Sequence, residues 1–164
     1  MPPEAADSPL PYPRARCSRE TADAEATRAL ARRLAALLRP GDFLALCGEL
    51  GAGKTTFVQG LAEGLGVAGR VSSPTFILLH AHLGPLPLCH LDAYRVRTAE
   101  ELRDLGAEEL AEAGVTALEW ADRVPALWPP EVILITLEYA GEGRRLHFEG
   151  RGPRPAALVK ELCA

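Results

Sequence analysis

The sequence predicts a single-domain α/β fold in which helices flank a mixed, mostly parallel sheet. The chain has 164 residues, of which 48% are hydrophobic, which is enough for one core. Short apolar runs alternate with stretches of helical periodicity. A glycine-rich segment at residues 48–56 joins one apolar run to the helix that follows it. This order is that of the P-loop nucleoside triphosphatase fold.

The amino-terminal segment is predicted to be a disordered tail. Prolines at positions 2, 3, 9, 11 and 13, together with arginines at 14, 16 and 19, oppose regular structure over residues 1–19. We therefore expect the folded domain to occupy residues 20–164.

The first helix and the first buried strand are predicted directly after the tail. Thr21 or Asp23 would cap a helix with apolar positions 26, 30, 34, 37 and 38, which ends at Pro40. Residues 42–47 form a short apolar run typical of a buried strand. After the glycine-rich turn, apolar positions 57, 58, 61 and 65 mark one face of a helix that ends near Gly66.

The second half of the chain supplies the rest of the predicted sheet. Residues 76–82 and 86–91 are expected to form an antiparallel pair. A helix begins near Thr98, where Thr98 and Glu101 match a capping box. Further strands are predicted at residues 115–120, 131–139 and 144–149, followed by a short helix near residues 155–162.

The glycine-rich segment predicts a phosphate-binding loop, because GELGAGKT matches G-x-x-x-x-G-K-[ST] at every fixed position. Glycines let successive backbone N–H groups face an anion, and the next helix adds its positive dipole end. Lys54 would contact the β and γ phosphates of ATP, and the Thr55 hydroxyl would ligate Mg²⁺. Thr56 is placed to reach the α phosphate. The other predicted nucleotide contacts in the loop are Glu49, Leu50, Gly51, Ala52 and Gly53.

Two carboxylates are candidates for the metal and for the chemistry. A P-loop requires an acidic partner for Mg²⁺, and Asp92 ends the run 86–91. A strand-end cap is the alternative for Asp92. Glu119 ends the apolar run 115–118, so it could orient an attacking water or be a solvated surface residue. Trp120 could shield the nucleotide or fill the core.

Thr75 and two histidines give less specific signals. Residues 73–76 form a rigid turn, in which a γ phosphate or Mg²⁺ could recruit the Thr75 hydroxyl in a switch-like way. His80 and His82 share one face of a predicted strand. A metal pair is conceivable there, but no third ligand is evident from the sequence, and a partly solvated strand is favoured.

Charge and cysteine spacing limit the function classes. The net charge of −4 argues against a protein that grips nucleic acid alone, because such binding depends on Lys and Arg neutralising phosphates. The four cysteines are scattered, which predicts free thiols in a reducing cytosol and no structural zinc. The chain has neither a signal-peptide pattern nor a stretch long enough to span a bilayer. We therefore expect a cytoplasmic protein without a membrane partner.

Four motifs occur in the order and spacing of one family. They are the loop 48–56, then SPTF at 73–76, HLDAYR at 90–95 and EW at 119–120. On these motifs the chain, from about residue 17 to about residue 148, resembles the TsaE (YjeE) family, the ATPases of bacterial tRNA threonylcarbamoyladenosine synthesis. The H-x-D-x-Y-R element is the most discriminating, since very many proteins share a P-loop.

The resemblance implies a small Mg²⁺-dependent ATPase that works with TsaB and TsaD. TsaD transfers threonylcarbamoyl to the adenosine beside the anticodon, so tRNA would be met indirectly through the complex. The catalytic residues implied by position are Glu119 and Lys54, and the metal ligands are Thr55, Asp92 and Glu119. The implied nucleotide contacts outside the loop are Thr75, as a switch-like threonine, and Trp120.

Two other functions are compatible with the same residues. A small-molecule kinase would use Asp92 or Glu119 to activate a substrate hydroxyl, although no arginine-rich lid is obvious. A nucleotide sensor would bind without turnover and order the segment around Thr75. Adenine is favoured over guanine only by elimination, since no N-K-x-D motif occurs.

Overall fold

The structure is a computed structural model that describes residues 12–67, 69, 71–72 and 78–164. Thr75 and residues 1–11 of the predicted tail lie outside this part of the chain. The strands are β1 (Arg14–Thr21), β2 (Phe43–Gly48), β3 (Leu79–His82), β4 (Leu88–Asp92), β5 (Val115–Glu119), β6 (Val132–Ala140) and β7 (Gly143–Arg151). The helices are α1 (Ala24–Ala35), α2 (Lys54–Leu65), α3 (Ala99–Arg103), α4 (Glu108–Ala113) and α5 (Pro153–Leu162), with 3₁₀ turns at Ala121–Arg123 and Pro125–Leu127.

Within the described residues the strands form one mixed sheet in the order β1-β7-β6-β2-β5-β4-β3. The pairs β2–β5, β2–β6 and β4–β5 are parallel, whereas β1–β7, β6–β7 and β3–β4 are antiparallel. The predicted mixed α/β sheet is therefore confirmed, with its parallel pairings confined to the centre. Because parallel strands end at the same edge, Gly48, Asp92 and Glu119 meet at the carboxyl edge of the sheet.

The core lies on both faces of this sheet. The larger apolar cluster packs α1, α2 and α5 against one face, and the smaller cluster packs α3 and the 3₁₀ turns against the other. Covering both faces explains why successive residues of the central strands are buried rather than alternately buried and exposed. In the described ranges, no helix combines the length and the apolar character needed to cross a bilayer.

The prediction of a disordered tail is wrong from Arg14 onward, because β1 pairs along its whole length with β7. Ala15 and Cys17 pack against the core. On the opposite face Arg14 and Arg16 form ion pairs with Glu149 of β7, at 3.1 Å and 3.3 Å. The arginines that suggested disorder are thus neutralised by a distant carboxylate, and the folded domain includes this strand.

Two of the cysteines predicted to be free thiols form a disulfide. Cys17 on β1 and Cys163, directly after α5, are 146 residues apart in the sequence, and their Cα atoms are 6.4 Å apart. The packing of α5 on β1 brings them together. Cys47 and Cys89 are free and buried, and burial raises their pKa to about 12 and about 11.

Two helix-capping predictions have different outcomes. Asp23 caps α1, since its carboxylate accepts a hydrogen bond of 2.8 Å from the backbone N–H of Ala26. The capping box at Thr98 is wrong, because the Thr98 side chain makes no cap hydrogen bond. Glu101 instead accepts from the backbone N–H of Arg97, at 3.3 Å.

The helices α1 and α2 pack through a seam of small residues. A Cβ placed on Gly60 would lie 2.7 Å from the Cβ of Ala31, and one on Gly64 would lie 2.5 Å from the Cβ of Ala35. Any side chain at either glycine would therefore collide with α1. The two helix axes are closer than larger residues would allow.

Candidate active site

The glycine-rich loop curls between the end of β2 and the start of α2. Gly48, Gly51 and Gly53 have φ angles of 148°, 79° and 105°, which side chains disfavour. Space is restricted as well. A Cβ on Gly48 would lie 2.5 Å from the carbonyl oxygen of Leu137, and one on Gly51 would lie 2.6 Å from the Tyr139 hydroxyl. The loop therefore requires glycine for its torsions and for room.

The start of α2 supplies an anion-binding end. The helix begins at Lys54, and Gly53 precedes it with no side-chain cap. The first-turn N–H groups of a helix have no intrahelical acceptor, and they carry the positive end of its dipole. These groups lie beside the curled loop, which is the arrangement that binds phosphate in P-loop proteins.

Lys54 folds back over the loop and is buried. Its Nζ donates hydrogen bonds to the carbonyl oxygens of Gly48, at 2.6 Å, and Glu49, at 2.9 Å. The same ammonium lies 4.0 Å from the centroid of the Trp120 ring. Burial lowers the pKa of Lys54, and the nearby carboxylate of Glu119 opposes that shift.

The β6–β7 hairpin holds the outer edge of the loop through two residues that the sequence analysis missed. The Tyr139 hydroxyl donates to the carbonyl oxygen of Leu50, at 2.8 Å, and Arg144 Nη2 donates to that of Gly51, at 3.1 Å. Tyr139 and Arg144 are cross-strand partners, and the guanidinium lies 4.3 Å from the centroid of the ring. They lie 89 and 93 residues from the loop residues that they contact, and no sequence signal links them to it.

Asp92 and Glu119 end adjacent parallel strands and are register partners. Both are buried, with 5% and 2% of their surface exposed. Asp92 Oδ1 accepts a hydrogen bond from the backbone N–H of Tyr94, at 2.7 Å, so Asp92 also caps its strand. Burial raises the pKa of Asp92. The alternative of a solvated surface residue is wrong for Glu119.

Two side chains orient the Glu119 carboxylate. The Thr55 hydroxyl donates to Glu119 Oε1, at 2.9 Å. His90 Nε2 makes a short hydrogen bond to Glu119 Oε2, and His90 is fully buried. His90 belongs to the H-x-D-x-Y-R element, but its sequence position alone predicts no role for it. A carboxylate fixed at both oxygens is held in one orientation at the edge of the loop.

Trp120 lies at the site in a left-handed backbone conformation, with φ of 56°, which is uncommon for a residue with a side chain. Its half-buried ring contacts the Tyr94 ring, with centroids 4.8 Å apart. Arg123 donates to the carbonyl oxygen of Tyr94, at 2.7 Å, and its guanidinium lies 5.4 Å from the Trp120 ring centroid. The Trp120 ring therefore packs against the core and also contacts Lys54 at the site.

A cavity of about 820 Å³ opens beside the loop. Its lining includes Gly48 and Glu49 from the loop and the side chains of Trp120, Trp128 and Tyr139. This volume lies within the range of small-molecule sites, about 300–1,000 Å³.

The donors gathered at the loop fit Mg²⁺. The Thr55 hydroxyl is hydrogen-bonded to Glu119, and the carboxylate of Asp92 lies on the neighbouring strand. Mg²⁺ prefers hard oxygen ligands and is usually held by one or two carboxylates together with substrate phosphates. Thr56 lies in the first turn of α2, where an α phosphate could reach it.

Comparison with known proteins identifies relatives over most of the chain. Residues 21–146 match the family model described as "Threonylcarbamoyl adenosine biosynthesis protein TsaE". The chain is 43% identical, over 145 residues, to the tRNA threonylcarbamoyladenosine biosynthesis protein TsaE of Bacillus subtilis, which covers 87% of this chain and 90% of that protein. It is 50% identical over 100 residues to the protein of the same name from Streptomyces coelicolor, covering 58% and 67%.

The fold has a counterpart among solved structures. The crystal structure of Bacillus subtilis YdiB matches with a TM-score of 0.79 and 36% sequence identity, and the match covers 93% of this chain and 97% of that one.

Proposed function

Because the chain belongs to the TsaE family of threonylcarbamoyladenosine biosynthesis proteins, we propose that it is a Mg²⁺-dependent ATPase that acts with TsaB and TsaD in the cytoplasm. The observation that carries the ATPase proposal is the contact between Thr55 of the phosphate loop and the buried carboxylate of Glu119. It brings a phosphate-loop hydroxyl and a potential base to one point at the sheet edge.

Phosphate binding is proposed for the loop and for Lys54. The N–H groups of the loop and of the first turn of α2 receive the phosphate oxygens. Lys54 exchanges its hydrogen bonds to the carbonyl oxygens of Gly48 and Glu49 for stronger, charge-assisted bonds to phosphate. The ammonium then compensates the negative charge of the β and γ phosphates.

Thr55, Asp92 and Glu119 are the residues that would hold Mg²⁺, and the ion, when bound, neutralises charge on the phosphate oxygens. Asp92 must be ionised for this role. Its burial favours the protonated form, so Lys54 and the ion would offset the cost of the charge.

Glu119 is proposed to orient the attacking water and accept its proton. The contacts from Thr55 and His90 fix the carboxylate in one orientation before substrate arrives. Such preorganisation lowers the barrier because the group need not be rearranged during the reaction. Only 2% of the Glu119 surface is exposed, so bulk water has little access to the carboxylate.

The nucleoside is proposed to enter the cavity beside the loop. Trp120 and Trp128 line this cavity and supply aromatic surface for the adenine, and Gly48 and Glu49 connect the cavity with the phosphate site. The switch-like role of Thr75 stays a prediction, since that residue lies outside the described part of the chain.

The ATPase proposal is tested by phosphate release from ATP, measured on the protein alone and with TsaB and TsaD. Mg²⁺-dependent release supports it. Transfer of the phosphoryl group to a metabolite, with no free phosphate, would favour the kinase alternative. ATP binding without any turnover, alone or in the mixture, would favour the sensor.

The partner proposal needs a separate measurement. The net charge of −4 suits a subunit that leaves tRNA binding to its partners. Association with TsaB and TsaD should therefore be detected by pull-down, with ATP, with ADP and without nucleotide. If no association is detected under any of these conditions, the proposal that TsaB and TsaD are the partners is contradicted, while the ATPase proposal is unaffected.

A further inference from the structure

Three histidines form a cluster at the edge strands of the sheet. His80 of β3 lies directly opposite His90 of β4, and His82 lies two residues further along the same face of β3. One ring nitrogen of each histidine lies within 4.8 Å of one from each of the others. The register of the hairpin therefore supplies the third imidazole that the sequence did not reveal.

Two of these rings carry a buried nitrogen with no hydrogen-bond partner among the described residues. They are His82 Nε2 and His90 Nδ1. His90 is fully buried, and His82 is 9% exposed. A buried polar atom without a partner is costly, so such atoms usually mark a bound water or ion. Both nitrogens belong to the one group of three or more His, Cys, Asp or Glu side chains among the described residues that is close enough to hold a metal ion.

We propose that His80, His82 and His90 bind a divalent transition metal ion of the Zn²⁺ class. Imidazole is a preferred ligand of such ions, and three histidines with one open position form a known type of zinc site. Tetrahedral Zn–N distances of about 2.0–2.1 Å place ligand nitrogens about 3.3 Å apart. The ligand nitrogens must therefore approach one another by at most about 1.5 Å, which requires small rotations of all three rings.

The cluster is chemically distinct from the proposed Mg²⁺ site but touches it. His90 uses Nε2 for Glu119, which leaves Nδ1 for the metal. A carboxylate that hydrogen-bonds the far nitrogen of a metal-bound imidazole fixes the ring and increases its basicity. Glu119 would thus serve both sites. The cysteine spacing predicts no structural zinc, but this ligand set contains no cysteine.

The test is a Co²⁺ titration of the full chain, prepared without a histidine tag and free of nucleotide and Mg²⁺. We expect one equivalent to bind with the visible absorption of tetrahedral Co²⁺, and Zn²⁺ to displace it. His80→Asn and His82→Asn should each weaken binding by about tenfold or more. His147→Asn is the matched control, because His147 is the remaining histidine of the four and lies on the exposed face of β7.

A second measurement separates ligand loss from misfolding. Zn²⁺ should raise the melting temperature of the wild type and of Asp92→Asn by more than that of His80→Asn, whose half-buried position at the sheet edge tolerates substitution. Two results would overturn the proposal: no binding by the wild type, or unchanged binding in His80→Asn, whether or not Asp92→Asn loses it. A thiolate charge-transfer band would assign the ion to Cys47 or Cys89 and would overturn it as well.

Discussion

The Thr55 hydroxyl donates a hydrogen bond of 2.9 Å to Glu119 Oε1, although 64 residues separate the two in the sequence. The bond joins the first turn of α2 to the last residue of β5. A movement of the phosphate loop is therefore transmitted directly to the candidate base.

Glu119→Gln should retain ATP binding and lower the rate of hydrolysis by about 10²–10⁴-fold. The amide keeps the shape of the carboxylate and can still bond to Thr55, but it cannot accept a proton. Phosphate release gives the rate, and calorimetry gives the affinity. Glu108→Gln, on the exposed surface of α4, is the control. If Glu119→Gln hydrolyses ATP at the wild-type rate, Glu119 does not act as the base.

Lys54→Ala should weaken ATP binding by about tenfold or more, because a hydrogen bond to a charged group contributes about 1.5–3 kcal/mol. Isothermal titration calorimetry measures the loss. The chain has a matched control in Lys160→Ala, since Lys160 is exposed on α5. Normal ATP affinity in Lys54→Ala would contradict the assignment of the loop.

Asp92→Asn should raise the Mg²⁺ concentration needed for half-maximal hydrolysis by about tenfold or more. The amide can still accept from the Tyr94 N–H, so the strand end should be preserved. Hydrolysis is measured against Mg²⁺ at saturating ATP. Asp104→Asn, an exposed residue after α3, should behave as the wild type. Equal Mg²⁺ dependence in both variants would argue against Asp92 as a ligand.

Trp120 should report nucleotide binding by fluorescence. The chain has two tryptophans, so Trp128→Phe isolates the emission of Trp120. Lys54 must leave the face of the Trp120 ring to reach phosphate, and the emission should change on addition of ATP and saturate with it. In the reciprocal variant, Trp120→Phe, the response should be smaller. A silent Trp120 would mean that Lys54 stays on the ring.

Glu149→Gln should lower the free energy of unfolding by about 1–2 kcal/mol near pH 7. Burial alone would raise the pKa of Glu149, but the hydrogen bond from Arg151 and the charges of Arg14 and Arg16 outweigh it and lower the pKa below 4.5. A carboxylate with a lowered folded-state pKa stabilises the protein above its unfolded pKa. That contribution disappears as the pH falls through the folded-state value.

Urea denaturation tests this at neutral pH and in acid. The difference between Glu149→Gln and the wild type should be full near pH 7 and should vanish below the lowered pKa. Glu142→Gln, in the exposed β6–β7 turn, is the control. An equal difference at both pH values would mean that the carboxylate charge does not stabilise β1.

The centre of the fold and the two carboxylates could be predicted because their signals are local. An apolar run that ends in Asp92 or Glu119 predicts a strand end, and parallel strands then bring both residues to one edge. β1 was missed because Arg14 and Arg16 suggest disorder until their partner, Glu149, is known. That partner lies 133 residues from Arg16.

The register of paired strands could not be predicted from the sequence, and this register brings the three histidines together. The sequence shows that His80 and His82 share a face, but only the pairing of β3 with β4 places His90 opposite His80. The hydrogen bonds from Tyr139 and Arg144 to the loop also join residues that are far apart in the sequence. Such contacts depend on where the β6–β7 hairpin crosses the loop, which no short pattern encodes.

Through the close contact at Gly60 and Gly64, α1 determines the position of α2 and therefore of the phosphate loop. A methyl group at Gly60 would push α2 off Ala31, and a rigid helix would carry that shift about 9 Å back to Lys54 at its first residue. If the loop binds ATP as proposed, the small side chains of Ala31 and Ala35 are then required for ATP affinity as well as for core packing. In a mutational scan scored by ATP affinity, bulky substitutions on this face of α1 should resemble active-site mutations, although α1 contributes no residue to the site.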